Sequence, residues 1–316
     1  MRISDLLRLS LDNLRRRKGR TALTVIGVVV GTCAIVVMIS LGIAVSAQNE
    51  EMLQSWGDLT MIQMYNYSSS SENALDDALV ERIKNTDHVV AVTPYYQPDN
   101  LNGTIKAGTN GRYETGLYNV YGMDETSLEA MGYELQSGSW LTDVGDVGKN
   151  KIAVLVGSEF GYNFEDTKRS YNSDARYRYS GQVDANGNPL QPFVDPETAR
   201  MTLQLKDDQG NVKQSYELVV VGTLVGDYSK DYFTVGGMVM RLQDARKLAS
   251  EANRIAKRTT KKEVTYNQIN IKVDDVDNVA AIENELQEEG YNTSSMTQIR
   301  EEMQKNVAQS QMILGS

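Results

Sequence analysis

The pattern of apolar and polar positions divides the chain into parts of unlike character. Thr21 to Val45, TALTVIGVVVGTCAIVVMISLGIAV, holds 25 residues without a charge, and the first acid after it is Glu50. A helix of that length spans ~37 Å at 1.5 Å per residue, enough for a hydrocarbon layer of ~30 Å with some tilt. A buried core helix seldom runs so far without a charge. A cleaved signal peptide has only about 7–15 residues in its apolar region, although Val45-Ser46-Ala47 offers small side chains before a cut. Ahead of the run, Ile3, Leu6, Leu7, Leu11 and Leu14 fall within an arc of ~140° on a helical wheel, with Arg8, Asp12, Arg15 and Arg16 mostly opposite. That predicts an amphipathic helix lying in the headgroup plane or docking a cytoplasmic partner. Leu7, Leu11, Arg15, Arg16 and Arg17 are its candidate contacts to lipid or to that partner.

Beyond Val45 the helical pattern continues through Ser46 to Trp56, with no breaker before Gly57, and predicts a stalk ~16 Å long. A strand at Leu59–Tyr67, a serine run at Ser68–Ser71, a helix at Glu72–Thr86 and an apolar stretch at Val89–Tyr96 make a β-α-β unit. A second unit follows near the C-terminus, with a strand at Val264–Val273, a helix at Asp275–Glu289, Gly290 as its stop and a short strand at Tyr291–Ser294. Two such units separated by the middle of the chain predict one α+β subdomain interrupted by an insertion. Within the insertion, Arg112–Tyr121, Lys151–Val156, Met201–Lys206, Tyr216–Val225 and Phe233–Met240 read as strands, with helices at Ser127–Met131 and Leu242–Lys257. The turn sequence Asp207-Asp208-Gln209-Gly210-Asn211 joins two of these strands as a hairpin. Lys168–Thr198, polar and carrying Pro189, Pro192 and Pro196, reads as a long loop.

Charge sharpens the division. Residues 1–20 carry seven basic and two acidic side chains, a net of +5, whereas the whole chain has 32 basic and 42 acidic residues and a net of −10. A basic margin before an apolar run places the N-terminus in the cytoplasm and the remainder outside. The acidic body argues against a nucleic-acid partner. Inside the run, Gly27 and Gly31 form a G-x-x-x-G that lets another helix approach closely. Cys33 is the one cysteine, so the outer domain holds no disulfide.

Chemistry is sparse. His88, the one histidine, has no cysteine nearby, so neither a zinc site nor a histidine-based triad is expected, and no G-x-x-x-x-G-K-[ST] occurs. Asp184, Asn186, Asn188 and Asp195 loosely resemble a calcium loop, but Pro189 stands where such a loop needs glycine, and a turn is the plainer reading. Asp274, Asp275 and Asp277 read as helix-start residues. No catalytic, metal-binding or cofactor-binding residue is expected.

DNLRRRKGRTALTVIGVVVGT resembles the start of permease subunits of the MacB type of ABC transporter (MacB-like periplasmic core, FtsX-like permease), with Asn13, Arg20, Leu23, Thr24, Gly27 and Gly31 at the matching positions. The resemblance continues through KIAVLVGSEFG, YELVVVGTLVGD, YFTVGGMVMRLQDARKL and INIKVDDVDNVAAIENELQEEGY, in the family's order. It implies an α+β fold: one N-terminal transmembrane helix, then an extracytoplasmic domain whose β-α-β porter-like subdomain is interrupted by a mostly β, sabre-like insertion. The expected divisions are residues 1–20 (amphipathic helix), 21–45 (membrane helix), 46–57 (stalk), 58–110 and 263–296 (porter-like), 111–262 (sabre-like) and 297–316 (second stalk). Three further membrane helices would follow.

The resemblance also implies a permease that couples ATP hydrolysis by a cytoplasmic partner subunit to export or handling of peptides, antibiotics or lipids. It would work as a homodimer or pseudo-symmetric heterodimer, with an extracytoplasmic adaptor as a further candidate partner. The rival from another class is a single-pass sensor or binding protein. On the second stalk Ile299, Met303 and Val307 recur at i, i+4, i+8, and on the first Met52, Leu53 and Trp56 supply a matching patch. The chain is expected to stay with membranes through alkaline carbonate extraction; release of a shortened chain beginning near Gln48 would support a cleaved signal instead.

Overall fold

The computed structural model describes residues 18–56, 58–66, 73–98, 101–258, 265–296, 305 and 309. The chain divides into two compact units, Met1–Trp56 with Gln298–Ser316, and Gly57–Thr297. In the first, α1 (Lys18–Trp56) is one continuous helix of 39 residues. Its Lys18–Val45 portion is long and apolar enough to cross a membrane. Thr24 and Thr32 turn their hydroxyls back onto the carbonyls of Arg20 and Val28, at 3.0 and 2.9 Å, which satisfies both groups where no water would reach them.

The second unit contains two sheets. The smaller consists of β1 (Met61–Tyr65), β2 (Val89–Tyr95), β12 (Gln268–Val273) and β13 (Asn292–Ser295), in the order β13-β1-β12-β2 with every neighbouring pair antiparallel. α2 (Asp77–Lys84) joins β1 to β2, and α5 (Val276–Glu288) joins β12 to β13, so two β-α-β units interleave strand by strand. Each helix begins on an aspartate cap: Asp76 accepts from the Leu79 N–H and Asp275 from the Asp277 N–H. α5 stops at Gly290, whose φ of 90° ends the helix in the left-handed region. Leu79, Val80 and Ile83 of α2 and Val279, Ile282 and Leu286 of α5 close over Ile62, Met64, Val92, Ile269 and Ile271, forming one core on one face of the sheet.

The larger sheet has nine strands along the path β5-β11-β7-β10-β9-β3-β4-β8, with β6 pairing a further stretch of β10. Its elements are β3 (Gly103–Ala107), β4 (Tyr113–Gly116), β5 (Val120–Met123), β6 (Leu135–Gly138), β7 (Lys151–Val156), β8 (Glu165–Asp166), β9 (Met201–Lys206), β10 (Val212–Leu224), α3 (Phe233–Gly236), β11 (Met238–Arg241) and α4 (Leu242–Ile255). β7 sits between β11 and β10 and is buried on both faces, which its uninterrupted run Ile152–Val156 requires. Ile152, Val154 and Val156 join the core covered by Ala245, Leu248 and Ala252 of α4. Ala153 and Leu155 join a second core with Tyr121, Met123, Phe233 and Val239. Ala91 belongs to that same cluster, and Met61 and Tyr95 pack on it, so the free face of the small sheet is buried against the large one. β9 and β10 form a hairpin whose turn is held by Asp207, accepting the N–H groups of Gln209 and Asn211. The Asn211 N–H foremost holds the Asp207 carboxyl down to about 2.

Several expectations need correction. Phe233–Met240 is not one strand: the Thr234 hydroxyl binds the Asp227 N–H and the Asp231 carbonyl, winding Phe233–Gly236 into the short helix α3 before β11 starts. Arg112–Tyr121 is split, because β4 pairs with β3 and β8 while β5 pairs with β11 at the other end of the sheet. Ser127–Met131 forms turns rather than a helix. β3 lies in the large sheet beside β9, so the small sheet's first portion ends at Tyr95, ahead of the expected division at residue 110.

Gly122 fixes the spacing between β5 and α4, since a Cβ there would lie 2.3 Å from the Ala245 Cβ. Gly122→Val is expected to cost about 1–3 kcal/mol and lower the melting temperature by several degrees. An unchanged melting temperature would show that α4 yields to the added volume.

Candidate functional site: paired incoming and outgoing strands

The chain enters the two-sheet unit at Asp58 and forms β1 three residues later; it leaves at the end of β13. These strands are antiparallel neighbours, with Ile62 opposite Ser295 and Gln63 opposite Ser294. The start of β1 therefore lies beside the end of β13, and strands so paired are only ~4.8 Å apart. Both connections to the rest of the chain depart from one edge of one small sheet.

Each connection is anchored by a carboxylate. Asp58 accepts from the Thr60 N–H at 3.0 Å and the Thr60 hydroxyl at 2.8 Å, and forms an ion pair with Lys272 of β12. Both partners are largely buried, with side chains 23% and 20% exposed. Burial works against ionisation of Asp58, but the Lys272 ammonium and the Thr60 groups outweigh it and hold the carboxyl below its ordinary 3.8. The Thr60 carbonyl also accepts from the Val273 N–H at 2.9 Å. On the outgoing side Glu283 of α5, 4% exposed, accepts from the hydroxyls of Thr293 and Ser295, and Gln287 donates to Thr293 at 2.8 Å. A buried carboxylate held by hydroxyls ties the last strand to its own helix.

From this edge the small sheet connects firmly to the large one. Tyr96 and Gly122 exchange backbone hydrogen bonds of 3.1 and 2.7 Å. The Asp124 N–H donates to the Thr93 hydroxyl, the Ser127 hydroxyl donates to the Val92 carbonyl, and Lys84 pairs with Asp124 at 2.7 Å. The Tyr95 hydroxyl donates to Asp231 at 2.8 Å, while its ring lies 4.9 Å from Tyr121 and 6.1 Å from Phe233. Burial pushes the Tyr95, Tyr121 and Tyr133 hydroxyls and the Asp231 carboxyl up, so this cluster favours protonated tyrosines around a single acid.

Of the residues singled out in the sequence, Gly27 and Gly31 lie four apart on α1, where a Cβ on either would meet nothing within 4 Å. Among the described residues nothing packs against either position. Cys33 is exposed on the same helix. Met52, Leu53 and Trp56 are on α1, but their side chains lie outside what the structure describes, as do Leu7, Leu11, Arg15, Arg16, Arg17, Ile299, Met303 and Val307 altogether. Lys305 and Gln309 are helical and exposed. His88 is an exposed residue with φ 68° whose Nδ1 lies 3.0 Å from Asp274. Asp184 holds a turn through the N–H groups of Asn186 and Asn188. Among the described residues no group of three or more His, Cys, Asp or Glu is placed to hold a metal ion. The strand pairing and the Asp58–Lys272 pair had no counterpart in the sequence reading, because each joins residues from opposite ends of the domain, and the Glu283 anchor had none because it rests on side-chain contacts between α5 and β13.

A family model described as the MacB-like periplasmic core domain matches residues 21–289. The chain belongs to that family. A curated relative, an uncharacterized ABC transporter permease from Methanocaldococcus jannaschii, is 23% identical over 197 residues, covering 60% of this chain and 47% of the relative, so the match spans about half that protein's length. Among solved structures, the periplasmic region of MacB from Actinobacillus actinomycetemcomitans aligns with TM-score 0.42 and 15% identity over 80% of this chain and 95% of that one. The extracellular domain of the noncanonic ABC-type transporter YknZ from Gram-positive bacteria aligns with TM-score 0.40 and 11% identity over 74% and 99%.

In this MacB-like chain Lys272→Met would strip a largely buried carboxylate of its cation and is expected to cost about 1–3 kcal/mol at neutral pH. Because the folded Asp58 value is depressed, its contribution is present above 3.8 and lost as pH falls through the lower folded value. The difference in urea midpoint between wild type and variant should therefore shrink below about pH 4; a difference that does not change with pH would show that the pair is not its source.

Proposed function

We propose that this chain is the first membrane helix and the extracytoplasmic domain of a MacB-type ABC permease, and that it carries no reaction of its own. A partner subunit in the cytoplasm binds and hydrolyses ATP, and the resulting shift of membrane helices travels outward along two stalks to the two-sheet domain. Peptides, antibiotics or lipids are the cargo class that the family resemblance supports. The basic residues before Thr21 favour a cytoplasmic N-terminus.

The observation that carries the reading is the pairing of Ile62 with Ser295. Two stalks can work a domain as a lever only if they grip it close together. Here the strands they join are hydrogen-bonded neighbours, and one continuous helix leads to the first of them. Both stalk segments also fall in the same unit of the chain. Burial of a few apolar side chains between the stalks, at about 1.5–3 kcal/mol each, would hold them as a pair.

The test is a cross-linking scan in the assembled transporter on a Cys33→Ser background. Single cysteines replace Met52, Leu53 or Trp56 on one stalk and Ile299, Met303 or Val307 on the other. Some pairs should cross-link on oxidation and block transport while the partner's ATP hydrolysis continues in part. If no pair between the two segments cross-links, the stalks are not neighbours and the mechanical reading fails.

A further inference from the structure

A cavity of about 510 Å³ opens on the large sheet between β3, β4 and the long segment that joins β8 to β9, away from both chain connections. That volume is within the usual range for small-molecule sites. The joining segment runs from Thr167 to Arg200 with one 3-10 turn and no strand, and a connection of that length in a compact domain is commonly a binding loop. It is nonetheless well fastened. Arg176 grips Glu165 through two hydrogen bonds of 2.9 and 2.7 Å, the Arg178 guanidinium lies 4.2 Å from the centre of the Phe193 ring, and Phe193 stacks on Tyr113.

The lining decides the chemistry. Tyr118, Tyr171 and Tyr177 contribute rings, and Tyr118 and Tyr171 are 79% and 75% exposed. Asn119 and Asn163 supply amides and Glu114 and Glu165 carboxylates, while no lysine or arginine lines the space. Thr104, also in the lining, has a buried hydroxyl without a hydrogen-bond partner among the described residues. An anionic ligand would find no cation. A cationic one would find both carboxylates engaged: Glu114 with Lys106 at 3.3 Å and Lys206 at 4.0 Å, and Glu165 with Arg176, which holds it below the ordinary carboxylate range. A lipid tail needs a continuous apolar wall, and here amides, carboxylates and hydroxyls interrupt it. What remains is a neutral ligand with many hydroxyls and flat C–H faces. Its C–H groups would meet the negative faces of the tyrosine rings, and its hydroxyls would donate to the carboxylates and amides.

We infer that this cavity is a binding site for a neutral oligosaccharide. The inference rests on the two-sheet domain alone and stands whether or not the stalks act as a lever. The experiment uses the full chain in lipid nanodiscs and saturation-transfer NMR with two probes, tri-N-acetylchitotriose and maltotriose, which separate an amino-sugar glycan from a plain glucan. Hexalysine serves as the cationic competitor. At least one trisaccharide should show saturation of its ring protons. Tyr118→Ala and Tyr171→Ala should each weaken its binding about tenfold, while Tyr118→Phe, which keeps the ring, and Tyr228→Ala, at an exposed tyrosine elsewhere, should leave it unchanged. Circular dichroism confirms that each variant is folded. Three results overturn the inference: neither trisaccharide binds, binding survives both alanine variants, or hexalysine displaces the sugar with dependence on the same tyrosines.

Discussion

The antiparallel contact between β1 and β13 is the constraint on which the architecture turns. The two ends of the Gly57–Thr297 unit are brought together as adjacent strands, with Ile62 opposite Ser295. The rest of the small sheet follows. β12 must lie on the other side of β1, and β2 beyond it, so that α2 and α5 can cross the same face and close a single core. The carboxylates of Asp58 and Glu283 secure the two ends of that contact from opposite sides, one through an ammonium and one through hydroxyls.

The second sheet is joined to this arrangement through its core rather than by a linker. Met61, Ala91 and Tyr95 face away from the two helices and into the cluster around Tyr121 and Phe233. Displacing β1 would therefore disturb close-packed side chains of the large sheet, since interiors at crystal-like density transmit strain. Backbone bonds between Tyr96 and Gly122, and the Lys84–Asp124 pair, cross the same seam. For a protein of the MacB-like family, this makes the Gly57–Thr297 unit one body with two sheets.

Local pattern carried the sequence reading a long way where one residue's neighbours decide its state. The apolar run at Lys151–Val156 became a strand buried on both faces, the Asp207 turn closed a hairpin, and Asp275 and Gly290 bounded α5. The reading failed where a distant or side-chain contact decides instead. The apolar residues at Phe233–Met240 suit a strand, yet the Thr234 hydroxyl and its two partners wind the first half into a helix. Nothing in the spacing of Arg112–Tyr121 shows that β4 and β5 belong to opposite ends of one sheet. The site was least legible of all: Asp58 and Lys272 lie 214 residues apart, and Glu283 reaches Ser295 through side chains whose types are ordinary for a surface.

The interleaved strand order also dictates a sequence of events during synthesis. β1 emerges early, but both of its partners, β12 and β13, lie at the far end of the domain, and β2 likewise waits for β12. Until those residues leave the ribosome, the first β-α-β unit holds two strands with bare edges and a half-covered apolar face. The large sheet needs none of these strands for its own pairing, so it can assemble first and offer the Tyr121–Phe233 cluster as a surface on which Met61 and Tyr95 find shelter. Closing the small sheet spans nearly the whole domain in chain length, a connection that is slow to form though little costlier than a shorter one. The small sheet, where the chain enters and leaves the two-sheet unit, is thus the last to be completed.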